Sequence, residues 1–151
     1  MSRADLGERW QRVFDDTEAT AAEYRDRGWE AVALHPGDVN PIVDAARLHV
    51  LLPGSEFDEV NDLLGDASVE SVRVYAAAGE TAAYRLLVAE NAASETAVCV
   101  PTFVLDSDRE TLEAAAADAG EVRIRLRPLD DRDRVEFAVD DPDLFFRAPS
   151  E

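Results

Sequence analysis

The chain contains no lysine: all 15 of its basic residues are arginine. That absence excludes several chemistries outright. A P-loop needs the lysine of GKS/T, pyridoxal phosphate needs one for its Schiff base, and Ser-Lys hydrolases and protein kinases each place an ammonium group at the reacting centre. Cysteine occurs once, at Cys99, so neither an intrachain disulfide nor a CxxC zinc knuckle can form. Histidine occurs only at His35 and His49, and HExxH is missing. GxGxxG, GxSxG and the EF-hand loop are missing too, which removes the recognisable dinucleotide, hydrolase-elbow and calcium signatures. The terminal APSE lacks a Gly-Gly tail. No apolar run approaches the ~18 residues of a membrane span and the start, MSRADLGERWQR, is charged, so a cytoplasmic protein without membrane contact is expected.

What is present in excess is acid. Asp and Glu number 33 against 15 arginines, giving a formal net charge of −18, yet 46% of the residues are hydrophobic. The second figure rules out a disordered polyelectrolyte, and 151 residues suit a single domain spanning 1–151. Self-repulsion at this charge strains a compact state, but at ~1 M salt the Debye length falls to ~3 Å and each charge acts only on near neighbours. High KCl is therefore expected to be required for stability. Nucleic acid is not an expected partner, because phosphate contacts need concentrated basic side chains; a DNA-mimic surface is a lesser reading than a solvated acidic one.

The lysine-free, acid-rich composition, with 25 alanines and isoleucine only at Ile42 and Ile124, resembles that of small acidic haloarchaeal proteins of unassigned function. The resemblance implies a cytoplasm of molar salt and a G- and C-rich genome. It supplies no activity.

Along the chain, Leu6, Trp10, Val13, Phe14, Thr17, Ala21 and Tyr24 recur at offsets of three, four and seven, predicting one amphipathic helix from Ser2 to about Arg27 that stops at Gly28. WEAVAL (29–34) and ARLHVLLP (46–53) read as strands joined by the loop HPGDVNP, where Pro36-Gly37 and Asn40-Pro41 mark two turns. Ser55 suits an N-cap for a short helix with the apolar face Phe57, Val60, Leu63 and Leu64. Next come VESVRVYAA (69–77), AAYRLLVAE (82–90) and ETAVCVPTFVL (95–105), three strands whose connections AGET and NAAS have hairpin length. Pro101 argues for an edge or a bulge. Ser107 and Glu110 form a capping-box pattern for the helix DRETLEAAAADAG. EVRIRLRPL (121–129) alternates, with Val122, Ile124 and Leu126 on one face and Arg123, Arg125 and Arg127 on the other; after a DDRD turn RVEFAV (134–139) returns, and Leu144, Phe145 and Phe146 suit a docked helical turn.

These elements predict an α+β fold: one mainly antiparallel sheet of six or seven strands, packed by a long N-terminal helix and two shorter helices. The order of the first eight, helix, two strands, helix, three strands, helix, resembles that of roadblock and longin-type domains.

Candidate binding residues are His35, Asp38, His49, Arg123, Arg125 and Arg127. The arginines lie ~6–7 Å apart on one strand face, with Arg73 and Arg85 on strands that could neighbour it. Guanidinium groups bind carboxylate and phosphate bidentately, while cross-strand pairing with Glu136, Glu90 or the acidic helices is the structural alternative. If the HPGDVNP loop has a role, His35 and Asp38 should point toward His49 or this arginine face. His49 itself is expected at the surface, Cys99 as a small buried hydrophobe, and the acids of DSDRE (106–110) as helix-opening charges rather than metal ligands. No catalytic residue, cofactor or metal is expected. The leading functional expectation is a non-catalytic module acting through an unknown protein partner or as a homodimer; the alternative is a small-anion-binding protein or enzyme using the arginine face.

Overall fold

In a computed structural model of the protein the helical stripes and strand alternations become, among the described residues, four helices and eight strands. The structure describes residues 3–65, 68–78, 82–130 and 133–146. Ser2, the Gly79 to Thr81 part of AGET, Asp131 and Arg132 of the DDRD turn and the terminal APSE lie outside them, as does the Leu6 side chain.

Helix α1 (Arg3–Asp26) buries Val13, Thr17, Ala21 and Tyr24, with Trp10 and Phe14 half-buried beside them. Thr17 tolerates full burial because its hydroxyl donates to the Val13 carbonyl at 2.6 Å. The helix ends at Gly28, whose φ of +89° lets the chain reverse into β1 (Glu30–Ala33). The stretch after His35 departs from the two-turn expectation: residues Asp38–Ile42 form a strand, β2, and Asn40-Pro41 lies within it. Pro41 is accommodated because β2 is an edge strand, where a missing donor costs no ladder bond. A 3-10 turn (Val43–Ala45) leads to β3 (Arg47–Leu52). Then follow α2 (Gly54–Leu64), β4 (Ser71–Ala78), β5 (Ala82–Asn91), β6 (Thr96–Leu105), α3 (Asp106–Ala119), β7 (Val122–Pro128), β8 (Val135–Val139) and α4 (Pro142–Phe146). Both helix starts depart from the predicted caps. Pro53 and Leu105 hold the N-cap positions of α2 and α3 without any side-chain cap bond, so Ser55 and Ser107 already lie inside their helices.

The single antiparallel sheet is corrected to two mixed four-stranded sheets, ordered β1-β6-β5-β4 and β2-β3-β7-β8. Each contains one parallel pair, β1 with β6 and β3 with β7; the other pairings are antiparallel. The strand between His35 and Arg47 also departs from the roadblock and longin order, since three strands rather than two precede α2. Pro101 lies in β6, a central strand, but β1 pairs only with Thr96 to Cys99, so β6 is locally an edge where the proline falls.

Inward residues of both sheets share one core: Val32, Leu34, Leu87, Val98 and Val100 from the first, Leu48, Val50, Leu52, Ile124, Leu126 and Val139 from the second. Phe57 and Val60 of α2, Leu112 and Ala116 of α3, and Phe145 and Phe146 of α4 complete it. The opposite face of the first sheet is taken by α1, whose Ala21 and Tyr24 pack on Ala33, Leu86, Val88, Ala97 and Cys99. The layers are thus helix, sheet, sheet. All helix residues buried against the second sheet join it on its inner side, and among the described residues no element covers its outer face.

Candidate functional site

The strict alternation of β3 and β7 decides what that outer face carries. Leu48, Val50, Leu52, Ile124 and Leu126 are essentially inaccessible, so Arg47, His49, Leu51, Arg123, Arg125 and Arg127 must point the other way. Register then turns the rows into a grid. Asp38, Leu51 and Arg127 form one cross-strand row; Asn40, His49, Arg125 and Glu136 form the next; Ile42, Arg47, Arg123 and Ala138 form the third. On the four strands, four arginines and a histidine face two carboxylates, Asp38 and Glu136, inverting the charge ratio of the whole chain.

Pairing neutralises only part of this charge. Glu136 receives Arg125 Nη2 at 2.9 Å, Arg134 Nε at 2.9 Å and Arg123 Nη1 at 3.6 Å. Arg123 also holds Glu121 at 2.8 Å. Burial alone would raise the Glu136 carboxyl, but Arg125, then Arg134 and Arg123, hold it below the usual carboxylate range. Among the described residues Arg47 makes no ion pair, and its Nε is buried without a hydrogen-bond partner. The same holds for Nε2 of His49, a half-buried residue rather than the expected surface histidine. Burial, followed by the charges of Arg125, Arg127 and Arg47, pushes the His49 imidazole below its ordinary value, against a weaker pull from Glu136. His49 is therefore neutral at pH 7 and stands in a positive field.

Of the two loop candidates, His35 and Asp38, the structure brings one to this face and sends the other away. Asp38 stands at its β2 corner, in the row of Arg127, with Oδ1 accepting the Val39 N–H at 2.9 Å. His35 does not approach His49. Its Nε2 lies 2.8 Å from Glu18 Oε1 on α1, its Nδ1 lies 2.8 Å from Glu56 Oε2 on α2, and its backbone N–H donates to Glu56 Oε1 at 2.7 Å. Phe14 meets the ring edge-on at 5.2 Å between centroids. Burial works against protonation here, but the hydrogen bond and charge of Glu56, and then Glu18, outweigh it and raise the pKa. With a carboxylate at each ring nitrogen His35 ties two helices together, and its protonated form is favoured; it has no free nitrogen for base catalysis, and the carboxylates lie on opposite sides, where they cannot converge on one metal ion. Glu18 and Glu56 were missed because nothing in their local spacing links them to His35.

Arg73 and Arg85 do not neighbour the row; both belong to the first sheet. Arg73 pairs with Glu90 at 2.8 Å, while Arg85 is buried and donates to the carbonyls of Tyr84 and Phe145. Cys99 is fully buried, which pushes its thiol up to about 12. Among the described residues no group of three or more His, Cys, Asp or Glu is placed to hold a metal ion, and no helix is long and apolar enough to cross a membrane.

Fold and face together define a two-sheet α+β domain with an uncovered, arginine-bearing sheet surface. The chain belongs to a family of unknown function, DUF7529, whose model matches residues 2–147. No curated protein and no solved structure matches it.

Proposed function

We propose that this chain is a halophile-adapted, cytoplasmic, non-catalytic binding module that docks a carboxylate-rich segment of a partner protein on the outer face of the second sheet. The observation that carries the reading is the inverted charge of that face: Arg47, His49, Arg125 and Arg127 stand together on β3 and β7 in a chain of net charge −18. Arg47 Nε and His49 Nε2 are buried without partners, and an incoming carboxylate offers acceptors for such groups. The half-buried Leu51, in the row of Asp38 and Arg127, adds apolar surface beside these charges. A non-catalytic role is supported by the chemistry of the titratable groups: His35 is held by two carboxylates, and the Cys99 thiol is deeply buried. The haloarchaeal resemblance is supported by the lysine-free acidic composition.

The test is titration with a hexaglutamate peptide in molar KCl, followed through the His49 ring resonances. Binding should raise the His49 pKa, and Arg47→Ala should weaken it about tenfold with no loss of stability, since Arg47 holds no ion pair. Arg125→Ala should weaken binding and stability together. An Arg125→Ala variant with lowered stability but unchanged affinity would show that the row is only a salt-bridged surface. Inorganic phosphate competing more strongly than the peptide would favour the second reading, a small-anion site.

A further inference from the structure

We infer that the free edge of β4 is a homodimer interface, through which two copies join their first sheets into one continuous eight-stranded sheet. The two sheets end in four outer strands, β1, β4, β2 and β8. A bare edge invites pairing with another chain unless it is short, charged, kinked or covered. The β1 edge is covered: Nε and Nη2 of Arg25 both donate to the Ala31 carbonyl, at 3.1 and 2.9 Å. At β2 the edge is broken by Pro41 and carries Asp38. The five-residue β8 carries Glu136 as its second residue and runs directly into Asp140 and Asp141.

Among the described residues the β4 edge has none of these protections. It is eight residues long, SVRVYAAA, with no proline and a single charged side chain. That charge, Arg73, is already tied to Glu90, which also accepts the Tyr24 hydroxyl at 2.8 Å. Moreover, α1 packs mainly across β1, β6 and β5 and meets β4 only at its margin, where Val13 and Asp16 line a small hollow with Tyr75, Ala76 and Ala77. A helix about 10 Å wide spans roughly two strands at ~4.8 Å spacing, so a fourth strand lies at the limit of its reach. Tyr75 consequently stands 50% exposed on the bare strand. Between it and Arg27 on α1 lies a hollow of about 490 Å³ that also includes Arg73 and Tyr24.

A second copy fits this edge better than an unrelated strand because the edge matches itself. A two-fold axis perpendicular to the sheet keeps both outer faces on one side, which requires odd-numbered residues to lie opposite odd-numbered ones. With Val74 on the axis, Arg73 lies opposite Tyr75 of the second copy and Val72 opposite its Ala76. A guanidinium then meets an aromatic ring twice, by symmetry, just as Arg27 already covers Tyr24 at 4.3 Å. No carboxylate stands on β4 itself, so the two acidic chains bring no carboxylates face to face along the paired strands.

The experiment is sedimentation of the full chain in molar KCl at micromolar concentration. The expected mass is twice 16.6 kDa. Tyr75→Asp, at an exposed position, should raise the dimer dissociation constant at least about tenfold while leaving the melting temperature of the dissociated chain intact. Mixing an Arg73→Cys chain with a Tyr75→Cys chain under oxidation should yield the mixed disulfide in excess of either homodimeric one. A monomeric wild-type chain, a dimer insensitive to Tyr75→Asp, or cross-linking without the mixed product would each overturn the proposal.

Discussion

The His35 tie makes a prediction whose sign and size both follow from geometry. Glu56 accepts two bonds from one residue, the His35 backbone N–H and the ring Nδ1–H, and its side chain is 19% exposed. Glu18 accepts one, from Nε2, and is 52% exposed. Hydrogen bonds to a charged group contribute about 1.5–3 kcal/mol when shielded, whereas exposed ion pairs contribute about 0.2–1 kcal/mol. Since His35 itself is 38% exposed, solvent screening places the whole tie toward the lower end of these ranges. Glu56→Ala should therefore destabilise by about 2 kcal/mol and Glu18→Ala by no more than about 0.5 kcal/mol. High salt should spare both contacts, because 2.8 Å is within even the short Debye length of ~3 Å at 1 M.

The pH dependence follows from the raised pKa. Below 6.5 both folded and unfolded states hold the proton and the tie contributes fully; as pH rises from 6.5 through the higher folded-state value, the unfolded chain releases its proton first and stability falls. Urea unfolding in molar KCl between pH 5 and 9, for the wild type and for His35→Asn, measures this directly. The wild type should lose stability above pH 6.5 relative to the variant. Parallel curves, or equal costs for Glu18→Ala and Glu56→Ala, would refute the reasoning.

His49 should behave in the opposite sense. Burial and the arginines around it lower its folded-state pKa, so the stability it contributes is complete above 6.5 and is lost as pH falls through the folded value; the ring resonances should titrate below 6.5, and Arg47→Ala should move the midpoint upward. Melting temperature should rise steeply between dilute buffer and molar KCl as screening relieves the net charge of −18, and an unchanged value would count against halophilic adaptation. Cys99 should stay unmodified by a thiol reagent at pH 8 until the chain unfolds, given a thiol pushed up to about 12; labelling of the native protein at the rate of a free thiol would show that its burial is incomplete.

By itself the sequence determined where the helices and all strands but β2 lie and which way their side chains turn. The stripe from Trp10 to Tyr24 became the buried face of α1, and Val122, Ile124 and Leu126 face the core with the arginines opposite, because period and polarity are local properties of a segment. Helix starts shifted from Ser55 and Ser107, since several neighbouring residues could serve and packing chose among them. The strand hidden in DVNPI was not legible, because Asn and Pro favour turns locally and only pairing with β3 overrides them. Strand partnership also belongs to the tertiary structure alone: alternation says which face is buried but not which strand is adjacent, so the parallel pairs β1 with β6 and β3 with β7 had no sequence signal. The candidate site divides in the same way. One strand's arginine row could be read from EVRIRLRPL, but joining it to His49, Arg47 and Glu136, and His35 to Glu18 and Glu56, required the long-range register and helix packing that only the folded chain supplies.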